Sequence, residues 1–81
     1  MKYDYIQIIA RRIHFLCEQR GITMYRLSVM SGLNQSTIDN LVNNRTFDPR
    51  IQTLHKIALG FSMTLAEFLD FEELNNYSFD E

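Results

Sequence analysis

The stretch of sequence that decides the fold is TMYRLSVMSGLNQSTIDNLVNN, residues 23–44. It divides into two short helical patterns, residues 24–31 and 35–43, on either side of Gly32-Leu33-Asn34. A glycine at that point permits a sharp turn between two helices set at a large angle. Small serines on the inner face of the first pattern would let another helix approach closely. The spacing therefore predicts a helix-turn-helix.

Apolar residues at steps of three and four predict three more helices outside this stretch. The first spans about residues 4–20 and ends at Gly21, the usual residue for a left-handed helix end. The fourth begins at Asp48-Pro49, because proline suits the first turn of a helix. The fifth begins at the capping-box pattern of residues 64–67. No strand pattern competes, so the predicted fold class is all-α, a compact five-helix domain.

Apolar residues outside these stripes predict further contacts. Ile8 and Phe15 fall off the stripe of the first helix and are expected on the surface or in an interface. The domain is expected over residues 1–70, followed by an acidic and aromatic tail over residues 71–81. The tail carries four large apolar residues: Phe71, Leu74, Tyr77 and Phe79. They are expected to fold back on the same chain or to form a dimer contact with the fifth helix; failing both, the tail is disordered.

Length and composition exclude several classes of protein. Eighty-one residues make one domain, and the single cysteine, Cys17, excludes an internal disulfide framework. Cys17 lies on the apolar stripe of the first helix, which predicts a core residue. No apolar run approaches the length of a membrane span and no signal-peptide pattern begins the chain, so we expect a soluble cytoplasmic protein. His14 and His55 have no partner at ligand spacing, so no metal site is expected.

The charges are distributed unevenly along the chain. Residues 1–56 hold all eight basic residues and four acidic ones, whereas residues 57–81 hold six acidic residues and no basic one. The net charge of −2 therefore combines a basic body with an acidic end. A basic body is typical of nucleic-acid binding. An equally good interpretation of the acidic end is a solvated segment that aids solubility.

The polar face of the predicted third helix opens with Gln35-Ser36-Thr37. Glutamine offers a donor and an acceptor to the edge of adenine in the major groove, and serine or threonine can bond a base or a phosphate. The amino-terminal end of a helix also attracts phosphate through its free N–H groups and its dipole. This layout is typical of a DNA-reading helix-turn-helix.

The landmarks of the whole chain, taken in order, resemble the Cro/cI-type (lambda-repressor-like, XRE-family) helix-turn-helix domain over about residues 6–71. They are Arg12-Ile13, Leu16, Arg20-Gly21-Ile22-Thr23, Leu27, Ser31-Gly32-Leu33, Gln35-Ser36-Thr37-Ile38, Asn43, Arg45, Pro49, Thr53-Leu54, Lys56-Ile57-Ala58, Thr64-Leu65 and Glu67-Phe68-Leu69. The residues around the turn also resemble short regulators of Gram-positive bacteria and their phages.

The resemblance implies two sets of DNA-contacting residues. The residues expected to read bases are Gln35, Ser36, Thr37 and Asn40. The residues expected to contact the DNA backbone are Thr23, Asn43, Arg45 and Arg26.

The sequence departs from the family pattern at three positions. Met24 stands where the family usually has glutamine or another polar residue that supports the first reading residue. Cys17 replaces a common basic residue. Asp39 places a carboxylate on the reading face, where it repels phosphate but can accept from the amino group of cytosine.

The function implied by the resemblance is a sequence-specific regulator of transcription, a homodimeric repressor on a palindromic double-stranded DNA operator. No cofactor, small-molecule ligand or membrane partner is implied. The alternative is a protein-interaction module on the same fold, antitoxin-like or a phage regulatory partner, using the fifth helix and the tail. An enzyme is disfavoured because no phosphate-binding loop, metal-binding or nucleophile motif is present.

Overall fold

The structure, a computed structural model, describes residues 4–43, 45 and 48–80. Six helices occupy these residues: α1 Tyr5–Arg20, α2 Met24–Ser31, α3 Gln35–Val42, α4 Ile51–Gly60, α5 Leu65–Leu69 and α6 Glu72–Asn75. The described ranges contain no strand, and the predicted all-α fold is confirmed. The sixth helix was not predicted, because four residues are too few to show a helical period. No helix in this part of the chain is long and apolar enough to cross a membrane.

The ends of the helices follow the local sequence closely. Gly32 adopts the left-handed conformation, with φ of 73°, and ends α2 at the predicted turn. The side-chain oxygen of Thr23 accepts a hydrogen bond of 3.0 Å from the backbone N–H of Arg26, which caps the start of α2. Thr64 and Glu67 form the predicted capping box of α5.

The predicted start of α4 is wrong. The helix begins at Ile51, and its N-cap, Arg50, has an extended backbone. Pro49 therefore precedes the cap instead of occupying the first turn. Proline restrains only φ, and its preferred value suits an extended residue as well as a helical one. The predicted loop before α4 also includes Asn44, Thr46 and Phe47, which lie outside the described residues.

The core lies between α1 and the four helices that follow it. Its buried members are Ile6, Ile9, Ile13, Leu16, Cys17, Leu27, Ile38, Leu41, Leu54, Ile57, Ala58, Phe61 and Phe68. The rings of Phe61 and Phe68 stack with their centroids 6.3 Å apart. Burial raises the pKa of the Cys17 thiol, which keeps it uncharged and unreactive, as a core residue should be.

Small residues set the crossing of α2 and α4. Ser28 and Ser31 are buried, as predicted, and the hydroxyl of Ser31 donates to the carbonyl of Ser28. A Cβ added at Gly60 would lie 3.1 Å from the Cβ of Ser31 and 3.2 Å from its backbone. A side chain at position 60 would therefore crowd Ser31, and the close approach of α2 and α4 depends on this glycine.

The tail packs back against α1 of its own chain. The ring of Tyr5 lies 5.1 Å from that of Tyr77 and 5.4 Å from that of Phe79, centroid to centroid. An ion pair of 2.6 Å joins Arg11 to Glu73 of α6. Of the arrangements expected for the tail, the described residues show the one in which it folds back on its own chain.

The tail also explains why the prediction for Ile8 is wrong. Ile8 was expected on the surface or in an interface, yet it is buried within its own chain. We attribute its burial to the tail, because α1 is the helix against which α6 packs. A helix covered on two sides carries apolar residues on both. Phe15, the other residue off the stripe, is exposed.

Arg12 ties α1 to the end of α5. Its Nε donates to the carbonyl of Phe68 at 3.0 Å, and its Nη2 donates to the carbonyl of Glu67 at 3.1 Å. Carbonyls in the last turn of a helix have no partner within it, and the guanidinium supplies one. Burial lowers the pKa of Arg12 and Arg20 lowers it further, while Asp70 raises it. An arginine keeps its charge through such shifts, so both hydrogen bonds are charge-assisted.

Replacing Arg12 by methionine should destabilise the fold by about 1–3 kcal/mol, because two carbonyls lose a charged donor while the apolar stem is kept. Urea unfolding followed by circular dichroism measures the change. Lys56→Met, at an exposed position of α4, is the control and should stay within about 0.5 kcal/mol of wild type. Equal stability of the two variants would contradict this role for Arg12.

Candidate nucleic-acid interface

Helix α3 has one apolar and one polar side. Ile38 and Leu41 are buried and anchor the helix in the core. The four residues predicted to read bases lie on the other side: Gln35, Ser36 and Asn40 are exposed, and Thr37 is half-buried. The core therefore fixes the orientation of α3 and leaves a polar surface free for a ligand.

The amino-terminal end of α3 lacks negative charge. Asn34 occupies the N-cap, but its side chain makes no cap hydrogen bond, and the first turn contains no acidic residue. The free N–H groups and the positive end of the helix dipole are thus uncompensated by a carboxylate of that turn. Gln35 and Ser36 lie beside these groups, so an anion that approaches this end meets polar donors.

The residues predicted to contact the DNA backbone lie near the ends of α2 and α3. Thr23 is the N-cap of α2, and Arg26 is exposed in its first turn. At the other end of α3, Asn43 is the C-cap. The backbone N–H of Arg45 donates to the carbonyl of Asn40 at 2.7 Å, which places this exposed arginine directly after α3.

Two of the three departures from the family pattern contact each other. The thiol of Cys17 donates to the sulfur of Met24 across 3.9 Å, and Met24 packs half-buried against the core. Met24 therefore contributes to the packing between α1 and α2. Nothing in the described residues shows it supporting Gln35. The third departure, Asp39, is half-buried on α3.

A cleft between α3 and the start of α4 brings together residues that lie far apart in the sequence. Its volume is about 310 Å³, and its lining includes Thr37, Arg50 and Thr53. Arg50 is a surface arginine like others in the sequence, and only the folded chain brings it beside the polar side of α3. The carboxylate of Asp48 also lines the cleft, so it combines one cationic group, two hydroxyls and one acidic group.

Over residues 4–43, 45 and 48–80, no group of three or more His, Cys, Asp or Glu side chains could hold a metal ion. The side chains of the site are amides, hydroxyls and arginines, together with the carboxylates of Asp39 and Asp48. Such groups bind by hydrogen bonds and charge.

Comparison with known families matches residues 12–73 to the Cro/C1-type HTH DNA-binding domain. The matched segment includes both helices of the turn and most of the core. Among solved structures, the chain is similar to one described as the crystal structure of the prophage Lp1 protein 11, with 28% identity and a TM-score of 0.79. The alignment covers 95% of this chain and 100% of that one. No curated protein matches the sequence significantly.

Proposed function

The chain belongs to the Cro/C1-type helix-turn-helix DNA-binding domain family, and on this premise we propose that it is a sequence-specific, homodimeric repressor of transcription. The family fold is that of a non-enzymatic regulator, and its ligand is double-stranded DNA. The proposal places the protein in the cytoplasm of a bacterium or of a phage-infected cell. The likeness to a prophage protein supports that origin.

The observation that carries the proposal is the exposed polar side of α3. In the proposed complex this helix lies in the major groove, with its amino-terminal residues on the base edges. Gln35 pairs its amide with the edge of adenine, and Ser36 and Thr37 contact a base or a thymine methyl group. Asn40, one turn further along, reads a base or touches the backbone.

The affinity of the proposed complex comes from outside α3, because the helix contains no lysine or arginine. The arginines that flank it are Arg26, Arg45 and Arg50, all exposed. If each neutralises one phosphate, the logarithm of the binding constant should fall with the logarithm of salt with a slope of about −3 per subunit. Binding is therefore moderate and salt-sensitive, and uncharged side chains supply the sequence preference.

The repressor mechanism is occlusion of a promoter. A two-fold dimer places its reading helices about one DNA turn, roughly 34 Å, apart, and so matches a palindromic operator. A protein bound there blocks access to the DNA it covers. The concentration of dimer then sets the fraction of operators that are occupied.

Selection from random duplex DNA, at about 50 mM salt, tests the proposal. Wild type should enrich a palindrome whose half-sites lie one turn apart. Gln35→Ala should change the preferred base at one position of each half-site and lower affinity for the wild-type site by about 1–3 kcal/mol. Its stability should not change, because Gln35 is exposed.

Gln52→Ala is the matched control, since this glutamine is exposed on α4. It should select the same palindrome as wild type. Failure of wild type to enrich any sequence would overturn the regulator proposal and favour a protein-interaction module. If Gln35→Ala selected the same palindrome as wild type, Gln35 would not be one of the residues that read bases.

A further inference from the structure

One side of the molecule leaves several aromatic residues exposed although they contact one another. We call this surface, formed by α1 and residues 71–80, the α1–tail face. Phe79 is 77% exposed, Phe15 is 53% exposed and Tyr5 is 41% exposed. Grouped aromatic exposure of this kind is typical of an interaction surface.

Phe79 projects from this face in a fixed position. Its ring lies 5.4 Å from Tyr5 of α1 and 4.8 Å from Tyr77 of the tail, so two rings support it from below. Most of its surface remains in water. A rigid aromatic group loses little conformational freedom when it is buried by a partner.

A groove on the same face has the complementary chemistry. Its volume is about 250 Å³, and it is lined by Arg11, Arg12, Phe15, Phe71 and Glu73. The guanidinium of Arg12 lies 4.8 Å above the ring of Phe71. Two aromatic rings and the guanidinium of Arg12 favour another aromatic ring. The exposed ring of Phe79 has that chemistry. Arg11 at the rim is already paired with Glu73.

The two features lie at different points along α1. Phe79 contacts Tyr5, whereas the groove borders Arg11, Arg12 and Phe15, about 9–15 Å further along the helix. When two α1 helices pack antiparallel, the Tyr5 end of each lies beside the Phe15 end of the other. In that arrangement each Phe79 would approach the groove of the second copy, which is the reciprocal contact that two-fold symmetry requires.

We propose that the α1–tail face is the homodimer interface, with Phe79 of each copy inserted into the groove beside Phe15 of the other copy. This inference rests on the homodimer of the proposed function and names the surface that forms it. It assigns the aromatic tail a role in pairing two copies as well as in covering α1.

Analytical ultracentrifugation without DNA tests the interface on the full chain. Wild type should be dimeric, and Phe79→Ala should raise the dimer dissociation constant by about 30-fold or more, as for a central aromatic anchor. Val29→Ala is the matched control, because Val29 is 53% exposed on α2. Its dissociation constant should equal that of wild type. Thermal unfolding should show that both variants remain folded.

Mixing two variants separates a contact between copies from one within a chain. Phe79→Ala removes the inserted ring, and Phe15→Arg blocks the groove, so each variant alone loses both reciprocal contacts. In the mixed pair, Phe79 of the Phe15→Arg chain meets the intact groove of the Phe79→Ala chain. The heterodimer, detected with one labelled chain, should therefore form more tightly than either homodimer.

Three results would overturn the interface: a monomeric wild type, equal dissociation constants for Phe79→Ala and Val29→Ala, or a mixture no tighter than its components. The DNA selection separates this outcome from failure of the proposed function. If wild type were dimeric but enriched no palindrome, only the proposed repressor function would be refuted. If wild type enriched a palindrome but Phe79→Ala did not weaken dimerisation, only this interface would be refuted.

Discussion

Replacing Ser36 by glutamate is expected to weaken specific DNA binding strongly while slightly stabilising the protein. Ser36 is exposed in the first turn of α3, which contains no acidic residue. A carboxylate there interacts favourably with the helix dipole, by about 0.3–1 kcal/mol. The same charge, placed against the phosphates and acceptor edges of the groove, costs several kcal/mol, so affinity should fall about 100-fold or more.

The opposite signs of these two effects make the experiment decisive. Urea unfolding measures stability, and titration of the selected palindrome at about 50 mM salt measures affinity. Ser36→Gln has nearly the same size without the charge, so it should retain much more affinity than Ser36→Glu. A Ser36→Glu protein that binds the palindrome as wild type does would show that α3 does not face the DNA.

Replacing Phe68 by alanine is expected to destabilise the protein by about 3–5 kcal/mol. Phe68 is fully buried, and its ring stacks on Phe61 at the end of α4. Removing the ring leaves a cavity where α5 meets the core, and short helices cannot collapse to fill it without losing other contacts. Because the free energy of unfolding of a small domain is only about 5–15 kcal/mol, this loss should raise the unfolded fraction greatly.

The control for this loss is Leu59→Ala. Leu59 is an apolar residue of α4 that is largely exposed, so its replacement should change stability by less than about 0.5 kcal/mol. Both variants are measured by thermal and urea unfolding. If Phe68→Ala lost no more stability than Leu59→Ala, the packing of α5 against α4 described above would be wrong.

The two sets of contacts that position α3 have different origins. Ile38 and Leu41 follow directly from the spacing of apolar residues, which fixes the side of α3 that turns inward. The approach of α2 to α4 depends on Ser31 meeting Gly60, two residues far apart in the sequence. The sequence predicted the polar side of α3. For the crossing of α2 and α4, it indicated only that small serines would allow a close approach.

The neighbours of the predicted site residues were harder to predict than the residues themselves. Exposure of Gln35 and Asn40 follows from their helical phase. The sequence offers no reason to place Arg50 beside Thr37, or to pair Cys17 with Met24. Those contacts join different helices, and local periodicity carries no information on which helices meet.

The sequence by itself determined the all-α class, the position of the turn at Gly32 and the polar side of α3, because caps, glycines and apolar spacing act within a few residues of the chain. Only the tertiary structure decided how the tail is used. Ile8 became buried and Arg11 found Glu73 because α6 returns to α1, and a contact over such a distance depends on the shape of the whole fold. The same return leaves Phe79 exposed above α1, on the face where we place the second copy.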